Sequence, residues 1–540
     1  MSATAYLDTY ANDNLPPRAL WPELVFDLDE LAYPERLNCA TELLDNMVAG
    51  GHADSPAIHG ANGNWTYRQL LDQVNRIAHV LRDELQLVTG NRVLLRGANN
   101  PMMAACVLAV WKAGYIAVPT MPLLRAKELN TIMDLAKVNA VLCAGDLKEE
   151  MELARDQSPV PPAVLYFNDS APGALDQLMA SKPSDFESVD TSAEDVCILG
   201  FTSGTTGKPK GTMHFHRDVM AICDCFPRST LRVRPDDIFI GTPPLAFTFG
   251  LGGLLLFPMR FGASTVLLEK MTPDGLLKAI ADYRATICFT APTFYRHMAP
   301  LAKNHDLSSL KQTVSAGEAL PLETRERWQQ ATGLAMIDGI GATEMLHIFI
   351  SAAGGDIRPG ATGKPIPGYQ ACILDEQGAP VGPGVTGRLA VKGPTGCRYL
   401  ADPRQHDYVC NGWNVTGDAY EMDADGYFWY KARTDDMIIS AGYNIAGPEV
   451  EDALLQHPSV AECAVVACPD EERGQIVMAY VVLKPGLEPT PEAAKDLQDF
   501  VKKTVAPYKY PRKIEFRSTL PRTESGKLQR FKLRIEASSK

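Results

Sequence analysis

One segment, residues 92–118, constrains the fold of this 540-residue chain more than any other. Residues 92–95 form a short apolar run, and residues 101–113 begin with a proline, a favoured first residue of a helix. Gly114 is a typical helix terminator, and a second apolar run follows at 115–118. Two strands that are joined through a helix lie parallel in one sheet. The sequence therefore predicts an α/β fold with parallel strands.

Neighbouring segments extend this alternation of helices and strands. Thr66 and Gln69 have the spacing of a capping box, and apolar residues then recur at helical spacing as far as Leu81. Residues 140–143 predict a further strand, whereas residues 156–195, which are rich in Pro, Ser, Ala and Asp, predict a surface connection. At about 150 residues per domain, a chain of this length has two to four domains.

Charge and apolar patterning argue against several classes of protein. With 52 basic and 65 acidic residues the net charge is -13, so we expect no nucleic-acid partner held by the overall field. The chain begins without the basic and apolar regions of a secretory signal, and its most apolar stretch, 251–259, is much shorter than the roughly 20 residues of a membrane helix. We therefore expect a cytoplasmic protein without a membrane partner.

The 12 cysteines have no C-x-x-C spacing, and no pair of histidines has zinc-finger spacing. In a reducing compartment we expect them to stay reduced and to serve as small apolar side chains.

Glycine, hydroxyl and lysine residues are concentrated at 201–211, directly after the apolar run 196–199. Such a loop offers backbone N–H groups, hydroxyls and positive charge to phosphates. It is not a Walker A loop, because Thr202 and Pro209 stand where that motif needs glycine and a hydroxyl residue. A flexible linker is the alternative interpretation, although linkers rarely follow a strand with so many donors.

Five segments, in this order along the chain, resemble motifs of the adenylate-forming superfamily of acyl-CoA synthetases, adenylation domains and luciferases. They are the loop at 201–211, IGATE at 340–344, TGD at 416–418, RTDD at 433–436 and PRTESGK at 521–527. The resemblance covers nearly the whole chain. It implies a luciferase-like fold with a large N-terminal domain, residues 1–434, of parallel-rich sheets and helices. A small mobile α+β domain, residues 435–540, would turn on a hinge at Asp435.

The same resemblance implies a reaction that joins a carboxylate to AMP, releases pyrophosphate and transfers the acyl group to coenzyme A. ATP, Mg²⁺ and coenzyme A would take part. Glu344 would bind Mg²⁺, Thr343 the α-phosphate, and Lys527 would reach between the carboxylate and that phosphate. The ATP-binding residues would be Thr202, Ser203, Gly204, Thr205, Thr206, Gly207 and Lys208 at the outer phosphates, Gly317, Glu318, Ala319, Asp338, Gly339 and Ile340 at the adenine, and Asp418 and Arg433 at the ribose.

In the second half-reaction, rotation about Asp435 would withdraw Lys527 from the site. The loop of Ser440, Ala441 and Gly442 would then line a tunnel for the pantetheine arm of coenzyme A, because its small side chains leave room for a thin chain.

Three further stretches, at 247–249, 338–351 and 440–451, resemble the benzoate- and 2-aminobenzoate-CoA ligases in particular. Phenylalanine replaces a histidine that many relatives carry at position 247. Aromatic rings offer flat apolar surface to an aryl substrate, although ordinary core packing is the alternative for both phenylalanines and for a lone histidine. By this resemblance an aromatic acid would bind between Phe247, Thr248, Phe249, Ala316, Gly341 and His347.

The acceptor of the activated acid is the main open point of the sequence. Only 13 residues follow Lys527, so a fused carrier-protein domain is not expected and free coenzyme A is the simplest acceptor. A stand-alone enzyme that loads a separate carrier protein, a ligase for a non-aromatic acid and a non-catalytic nucleotide-binding module are the alternatives. Residues 502–540 contain 12 basic and 3 acidic residues, which form either a solvated face or a lid over a polyanionic ligand. The sequence leaves the oligomeric state and the ring substituents open.

Overall fold

The computed structural model describes residues 3–61, 63–203, 209–440, 443–470, 473–505, 507–522 and 528–539. Several residues with predicted roles lie outside these ranges, and their roles stay predictions. They are Gly204, Thr205, Thr206, Gly207, Lys208, Ala441, Gly442 and Lys527; the side chains of Ser203 and Asp435 are not described either.

The first part of the chain, as far as Phe226, builds a six-stranded sheet with helices and also contributes its first two strands to a second sheet. Its strands and helices are β1 (Pro56–Gly60), β2 (Gly63–Thr66), β3 (Arg92–Arg96), β4 (Ile116–Thr120), β5 (Ala140–Ala144), β6 (Ala163–Phe167), β7 (Val196–Ser203) and β8 (Pro209–Phe215), with α1 (Tyr10–Asp13), α2 (Tyr67–His79), α3 (Pro101–Lys112), α4 (Ala126–Ala136), α5 (Lys148–Asp156), α6 (Leu175–Met179) and α7 (His216–Phe226). The sheet order is β6-β5-β3-β4-β7-β8, parallel throughout except for the β7–β8 hairpin.

This sheet confirms the predicted strand–helix–strand unit. β3 and β4 are parallel with Val93 opposite Ala117, and α3 connects them. The capping box is present, because the Thr66 hydroxyl accepts the Gln69 N–H at 3.2 Å while the Gln69 side chain accepts the Thr66 N–H at 2.9 Å. Gly114 has a φ of 72°, a left-handed conformation in which glycine ends a helix without strain.

The prediction that residues 156–195 form only a surface connection was wrong. The segment contains α6 and strand β6, which pairs in parallel with β5 at the edge of the sheet. Its sequence, AVLYF, is an uninterrupted apolar run, and four of its five residues are at least partly accessible, as at a sheet edge. The residues on both sides of this run are rich in Pro, Ser and Asp, and that composition favoured a connection.

The second large sheet has nine strands in the order β15-β14-β13-β12-β11-β9-β10-β1-β2. Strands β13 to β1 of this order run parallel, and β2, β14 and β15 are antiparallel to their neighbours. Its remaining strands and helices are β9 (Ile238–Gly241), β10 (Ser264–Leu267), β11 (Ile287–Thr290), β12 (Gln312–Ser315), β13 (Met336–Gly341), β14 (Ile348–Ser351) and β15 (Lys364–Pro365), with α8 (Thr248–Leu251), α9 (Phe257–Arg260), α10 (Pro273–Tyr283), α11 (Pro292–Met298) and α12 (Leu322–Thr332).

An antiparallel sheet of five strands follows, in which β16, β17, β19 and β18 are neighbours and β20 pairs with β19. Its elements are β16 (Gln370–Leu374), β17 (Thr386–Lys392), α13 (Gln405–Tyr408), β18 (Val409–Cys410), β19 (Trp413–Met422) and β20 (Phe428–Arg433).

The C-terminal part is a small α+β unit. Its elements are β21 (Ile438–Ser440), β22 (Tyr443–Ile445), α14 (Gly447–Leu455), β23 (Val460–Asp470), β24 (Gly474–Leu483), α15 (Pro491–Thr504), β25 (Lys513–Phe516) and α16 (Arg530–Ser538). Helices α14 and α15 pack on one face of the β23-β24-β25 sheet, and α16 packs on the other. The predicted class, a large α/β part with a small α+β part, is confirmed. The predicted boundary at 434/435 lies between β20 and β21. Among the described helices, none combines the length and the apolar character that crossing a bilayer requires.

Candidate active site

The parallel strands of the nine-stranded sheet bring the predicted adenine and aryl segments to one edge. Thr290 at the end of β11 is opposite Ser315 at the end of β12, and Ser315 is opposite Asp338 of β13. Residues 316–319 follow β12 directly, and residues 242–249 follow β9, the other neighbour of β11. Ligand sites of parallel α/β sheets form at the carboxyl ends of the strands, so this edge is the candidate active site.

The predicted adenine segment forms a fixed turn at this edge. Gly317 has a φ of 88°, which favours glycine, and the hydroxyl of Thr293 donates to the Glu318 carboxylate at 2.7 Å. Ala319 is exposed, whereas Gly339 is buried, and Ile340 pairs with Ile350 of β14. Thr293 follows β11, so the turn is braced by the neighbouring strand of the same sheet.

Asp338 lies partly buried in this segment. Burial raises the pKa of its carboxyl to about 7, and the positive charge of Arg325 opposes the shift. The hydroxyl of Ser351 donates to the Asp338 backbone carbonyl at 2.6 Å, which fixes the β13–β14 hairpin at this point. The side chain can therefore offer adenine either a donor or an acceptor near neutral pH.

Glu344 follows β13 in a short 3-10 turn and is only 7% exposed. Its Oε1 atom accepts a hydrogen bond from the Tyr399 hydroxyl at 2.5 Å and lies 3.3 Å from Lys210 Nζ. Lys210 Nζ also donates to the Tyr399 oxygen at 2.6 Å. Burial and the charge of Glu344 raise the pKa of Tyr399 well above its usual value, so the phenol stays a donor.

These contacts leave Oε2 of Glu344 without a hydrogen-bond partner among the described residues. A single carboxylate beside phosphate-binding groups is the donor set that suits Mg²⁺, which keeps waters and takes its other ligands from substrate phosphates. Glu344 therefore fits the predicted metal role. Phosphate oxygens of bound ATP and water molecules would supply the other ligands of the Mg²⁺ ion.

Thr343 is held through its backbone. His214 Nε2 donates to the Thr343 carbonyl at 2.7 Å, and His214 Nδ1 is 3.7 Å from the Asp218 carboxylate. Arg398 donates to the same carboxylate at 2.8 Å, and Arg398 and Asp218 have no exposed side-chain surface. Despite burial, these partners keep the pKa of Asp218 well below its usual value. The buried ion pair of Asp218 and Arg398, together with His214, thus holds the turn that carries Thr343 and Glu344.

The same turn requires a close approach and a strained residue. A Cβ atom at Gly341 would lie 2.7 Å from the His347 carbonyl oxygen, so only glycine fits there. Leu346 has a φ of 67°, which a leucine adopts only at an energetic cost. Strain that is held by surrounding structure is common at functional sites.

Asp418 and Arg433 meet across the β19–β20 pair. Arg433 donates to the Asp418 carboxylate at 3.1 Å and to the Thr416 carbonyl at 3.2 Å. Burial raises the pKa of Asp418, and Arg433 opposes that shift. The structure thus brings the two predicted ribose residues together, with a carboxylate that can accept hydrogen bonds from hydroxyl groups.

His347 lies inside an aromatic cluster and is 2% exposed. Its ring centre is 4.4 Å from that of Phe257 and 5.8 Å from that of Phe249. Neither ring nitrogen makes a well-formed hydrogen bond to the described residues. Burial lowers the pKa to about 3, against a weaker opposing contribution from the Phe249 backbone, so the imidazole is neutral. Phe247, Thr248 and Phe249 are half-buried at the start of α8, and Ala316 is buried. His347 therefore packs against Phe249 in the core and exposes almost no surface to a substrate.

Sequence reasoning missed Lys210, Tyr399 and the network of His214, Asp218 and Arg398. Lys210 stands two residues after Lys208 in the predicted phosphate loop, so its place was a usable signal. Tyr399 and Arg398 come from a segment that pairs with β8 through the Thr212–Tyr399 bridge, and no local pattern indicates it. Ser440, the described member of the predicted tunnel loop, is buried at the end of β21.

Comparison with known proteins agrees with this arrangement. Residues 46–399 match the family model of AMP-binding enzymes, and residues 449–527 match that of the AMP-binding enzyme C-terminal domain. The benzoate–CoA ligase of Thauera aromatica is 35% identical over 508 residues, which are 93% of this chain and 96% of that protein. The human mitochondrial acyl-coenzyme A synthetase ACSM3 is 33% identical, over 94% of this chain and 90% of the relative. The crystal structure of the anthranilate CoA ligase AuaEII with anthranoyl-AMP superposes with a TM-score of 0.89 at 33% identity, covering 95% of this chain and 99% of that one.

Fold and site together define an ATP-dependent enzyme that activates carboxylic acids as adenylates. The chain belongs to the AMP-binding enzyme family, the adenylate-forming acyl-CoA synthetases. The predicted superfamily is thereby confirmed. At this level the chain is an AMP-forming acid–CoA ligase, with ATP, Mg²⁺ and coenzyme A as its co-substrates and metal.

Proposed function

We propose that this chain is an aryl-CoA ligase of the benzoate or 2-aminobenzoate type. It joins an aromatic carboxylate to the AMP part of ATP and then transfers the aryl group to the thiol of coenzyme A. Two relatives support the substrate class, since one is named a benzoate–CoA ligase and another was crystallised with anthranoyl-AMP, the adenylate of 2-aminobenzoate.

The observation that carries the proposal is the apolar aromatic surface beside the metal-binding turn. His347, three residues beyond Glu344, packs against Phe249, whose ring is half-buried and contacts Phe289 at a centroid distance of 5.5 Å. Flat rings at these distances stabilise a further ring through offset or edge contacts. Ala316, at the end of β12, contributes only a methyl group to this edge, which suits the approach of a planar substrate.

In the first step, a carboxylate oxygen attacks the α-phosphorus and the bond to pyrophosphate breaks. Both reactants are anions, so preorganised donors and cations must offset their repulsion. We assign Thr343 to the α-phosphate, Glu344 to Mg²⁺, and Asp418 to the ribose hydroxyls. Lys527 would supply the positive charge between carboxylate and phosphate. In the second step, the coenzyme A thiolate attacks the acyl carbon and AMP leaves.

A substrate panel tests this proposal. Purified chain with ATP and Mg²⁺ should exchange labelled pyrophosphate into ATP with benzoate or 2-aminobenzoate, and should form the thioester when coenzyme A is added. Phe249→Leu should raise the KM for the aromatic acid by about tenfold, since a lost ring contact and area cost about 1–2 kcal/mol. The matched control is Phe26→Leu, an exposed ring in the first part of the chain.

The panel also separates the alternatives. Pyrophosphate exchange with aromatic acids but no thioester with free coenzyme A would support a carrier-protein-loading enzyme. Exchange only with aliphatic acids would contradict the aryl assignment and favour a ligase for a non-aromatic acid. ATP binding without exchange for any acid would contradict the whole proposal.

A further inference from the structure

Cys39, Cys197 and His216 form a cluster that the proposed reaction does not use. Their ligand atoms, two thiol sulfurs and an imidazole nitrogen, all lie within 4.8 Å of one another, and all three residues are buried. Cys39 Sγ is 3.1 Å from His216 Nδ1. Within the part of the chain that the structure describes, no other group of three His, Cys, Asp or Glu side chains meets this spacing.

The backbone aims these side chains at one another. Val196 pairs with Phe215 and Ile198 with His214, so Cys197 is the extra residue of a β-bulge in β7. A bulge turns a side chain out of its strand's regular alternation. The Trp111 indole donates to the Cys197 carbonyl at 2.8 Å and thereby holds the bulge. His216 is the first residue of α7, directly after β8.

The single lone pair of His216 points into the cluster from Nδ1, where it accepts the Cys39 backbone N–H at 3.2 Å, so the ring proton is on Nε2. A bound metal ion would take this lone pair in place of the Cys39 N–H. Nε2 lies 3.5 Å from the Tyr6 oxygen, and the Tyr6 hydroxyl donates to the Val196 carbonyl at 2.7 Å. Metal-binding histidines have this arrangement, in which an outer partner fixes the tautomer of the ring.

We infer that Cys39, Cys197 and His216 bind a divalent zinc ion. Two sulfur ligands and one imidazole are the soft donors that zinc prefers. Two thiolates and Zn²⁺ add to zero charge, which suits a fully buried site better than a monovalent ion would. With Zn–S of about 2.3 Å and Zn–N of about 2.0 Å, tetrahedral angles place sulfur and nitrogen about 3.5 Å apart, which is about 0.4 Å more than the present distance between Cys39 Sγ and His216 Nδ1.

The ion would connect three parts of the chain: the segment before β1 that contains Cys39, the bulge in β7 and the start of α7. Strands β7 and β8 are the two arms of the hairpin whose tip is the predicted phosphate loop. A zinc ion at the base of this hairpin would therefore stabilise the strands that position the loop, at the opposite end from the chemistry.

Metal analysis of the intact chain tests this inference. Chain without a metal-binding tag is produced in zinc-supplemented medium, dialysed against buffer without chelator, and analysed by plasma mass spectrometry. We expect about one zinc per chain, and less than about a tenth of that in Cys39→Ala, because a site of three ligands does not retain zinc on two. The matched control is Cys143→Ala, which removes an equally buried thiol in β5 and should keep the metal.

Cobalt substitution gives a second readout that does not depend on the variants. Co²⁺ bound by two thiolates shows a strong sulfur-to-cobalt charge-transfer band, which the wild-type chain should display and added zinc should abolish. A wild-type chain that holds less than a tenth of an equivalent of zinc and shows no such band overturns the inference. Equal zinc in wild type, Cys39→Ala and Cys143→Ala does so as well, since the metal would then lie elsewhere.

Discussion

Replacement of His347 by phenylalanine should remove a specific part of the chain's sensitivity to acid. The imidazole is enclosed by phenylalanines, and burial lowers its pKa from 6.5 to about 3. A histidine with a lowered folded-state pKa contributes stability above its unfolded pKa, and this stability is lost as the pH falls from about 6.5 towards 3. With these two values the wild-type chain should lose about 2 kcal/mol between pH 7.5 and pH 5.0 through this residue alone.

At pH 7.5 the substitution should be close to neutral. Phenylalanine removes two ring nitrogens that make no well-formed hydrogen bond to the described residues, which offsets the cost of fitting a slightly larger ring beside Gly252. Its effect on the pH dependence should be much larger than its effect on stability at neutral pH.

Urea unfolding followed by tryptophan fluorescence measures this difference. The transition of the N-terminal part is fitted at pH 7.5 and pH 5.0 for wild type and His347→Phe, because a chain of two units need not unfold in one step. The variant should lose about 2 kcal/mol less than wild type over this interval. His406→Gln, an exposed histidine, is the control and should follow wild type. Parallel losses in wild type and His347→Phe would refute the neutral, buried imidazole.

Three further substitutions test the site. Glu344→Gln should lower acid-dependent pyrophosphate exchange by about 10²- to 10³-fold, as loss of a charge-stabilising group does, with an unchanged circular dichroism spectrum. Lys527→Ala should abolish exchange yet form thioester from presynthesised aryl-AMP, and equal loss of both half-reactions would contradict its assigned role. Arg398→Met should cost about 3–5 kcal/mol of unfolding free energy in urea, because it takes the nearest cation away from the buried Asp218 charge. Adding Asp218→Asn should recover most of that loss, and an undiminished loss in the double variant would argue against the pairing.

Local patterns predicted the parts of the fold that depend on few residues. The capping box at Thr66, the proline start of α3 and the glycine at 114 each fix a helix end through contacts within about four residues. The order of strand and helix then determined the parallel sheet, because a crossover helix leaves the next strand parallel. β6 escaped this reasoning, because its apolar run AVLYF lies in a segment that is otherwise rich in Pro, Ser, Ala and Asp, whose composition predicts a connection.

The residues of the candidate site also fall into two groups, those that local motifs predict and those that they do not. Thr343, Glu344, Asp418 and Arg433 lie in short motifs, so resemblance locates them, and the structure adds that the last two face each other across β19 and β20. Tyr399 is 55 residues from Glu344 along the chain, yet its hydroxyl contacts that carboxylate. Contacts of this kind depend on how separate sheets pack, which no single-sequence pattern encodes.

The turn of Thr343 and Glu344 and the hairpin of β7 and β8 come from different sheets but are in direct contact. Strand β8 carries His214, which binds the Thr343 carbonyl, and Lys210, which contacts Glu344. On its other side, β8 is covered by the segment of Arg398 and Tyr399, with the Met213 N–H donating to the Arg398 carbonyl at 2.8 Å. Because two side chains of one strand contact the turn, the groups that we propose to meet the phosphates are held in place before substrate binds. Preorganised donors of this kind spare the reaction the cost of reorienting them, which is where electrostatic catalysis gains most of its effect.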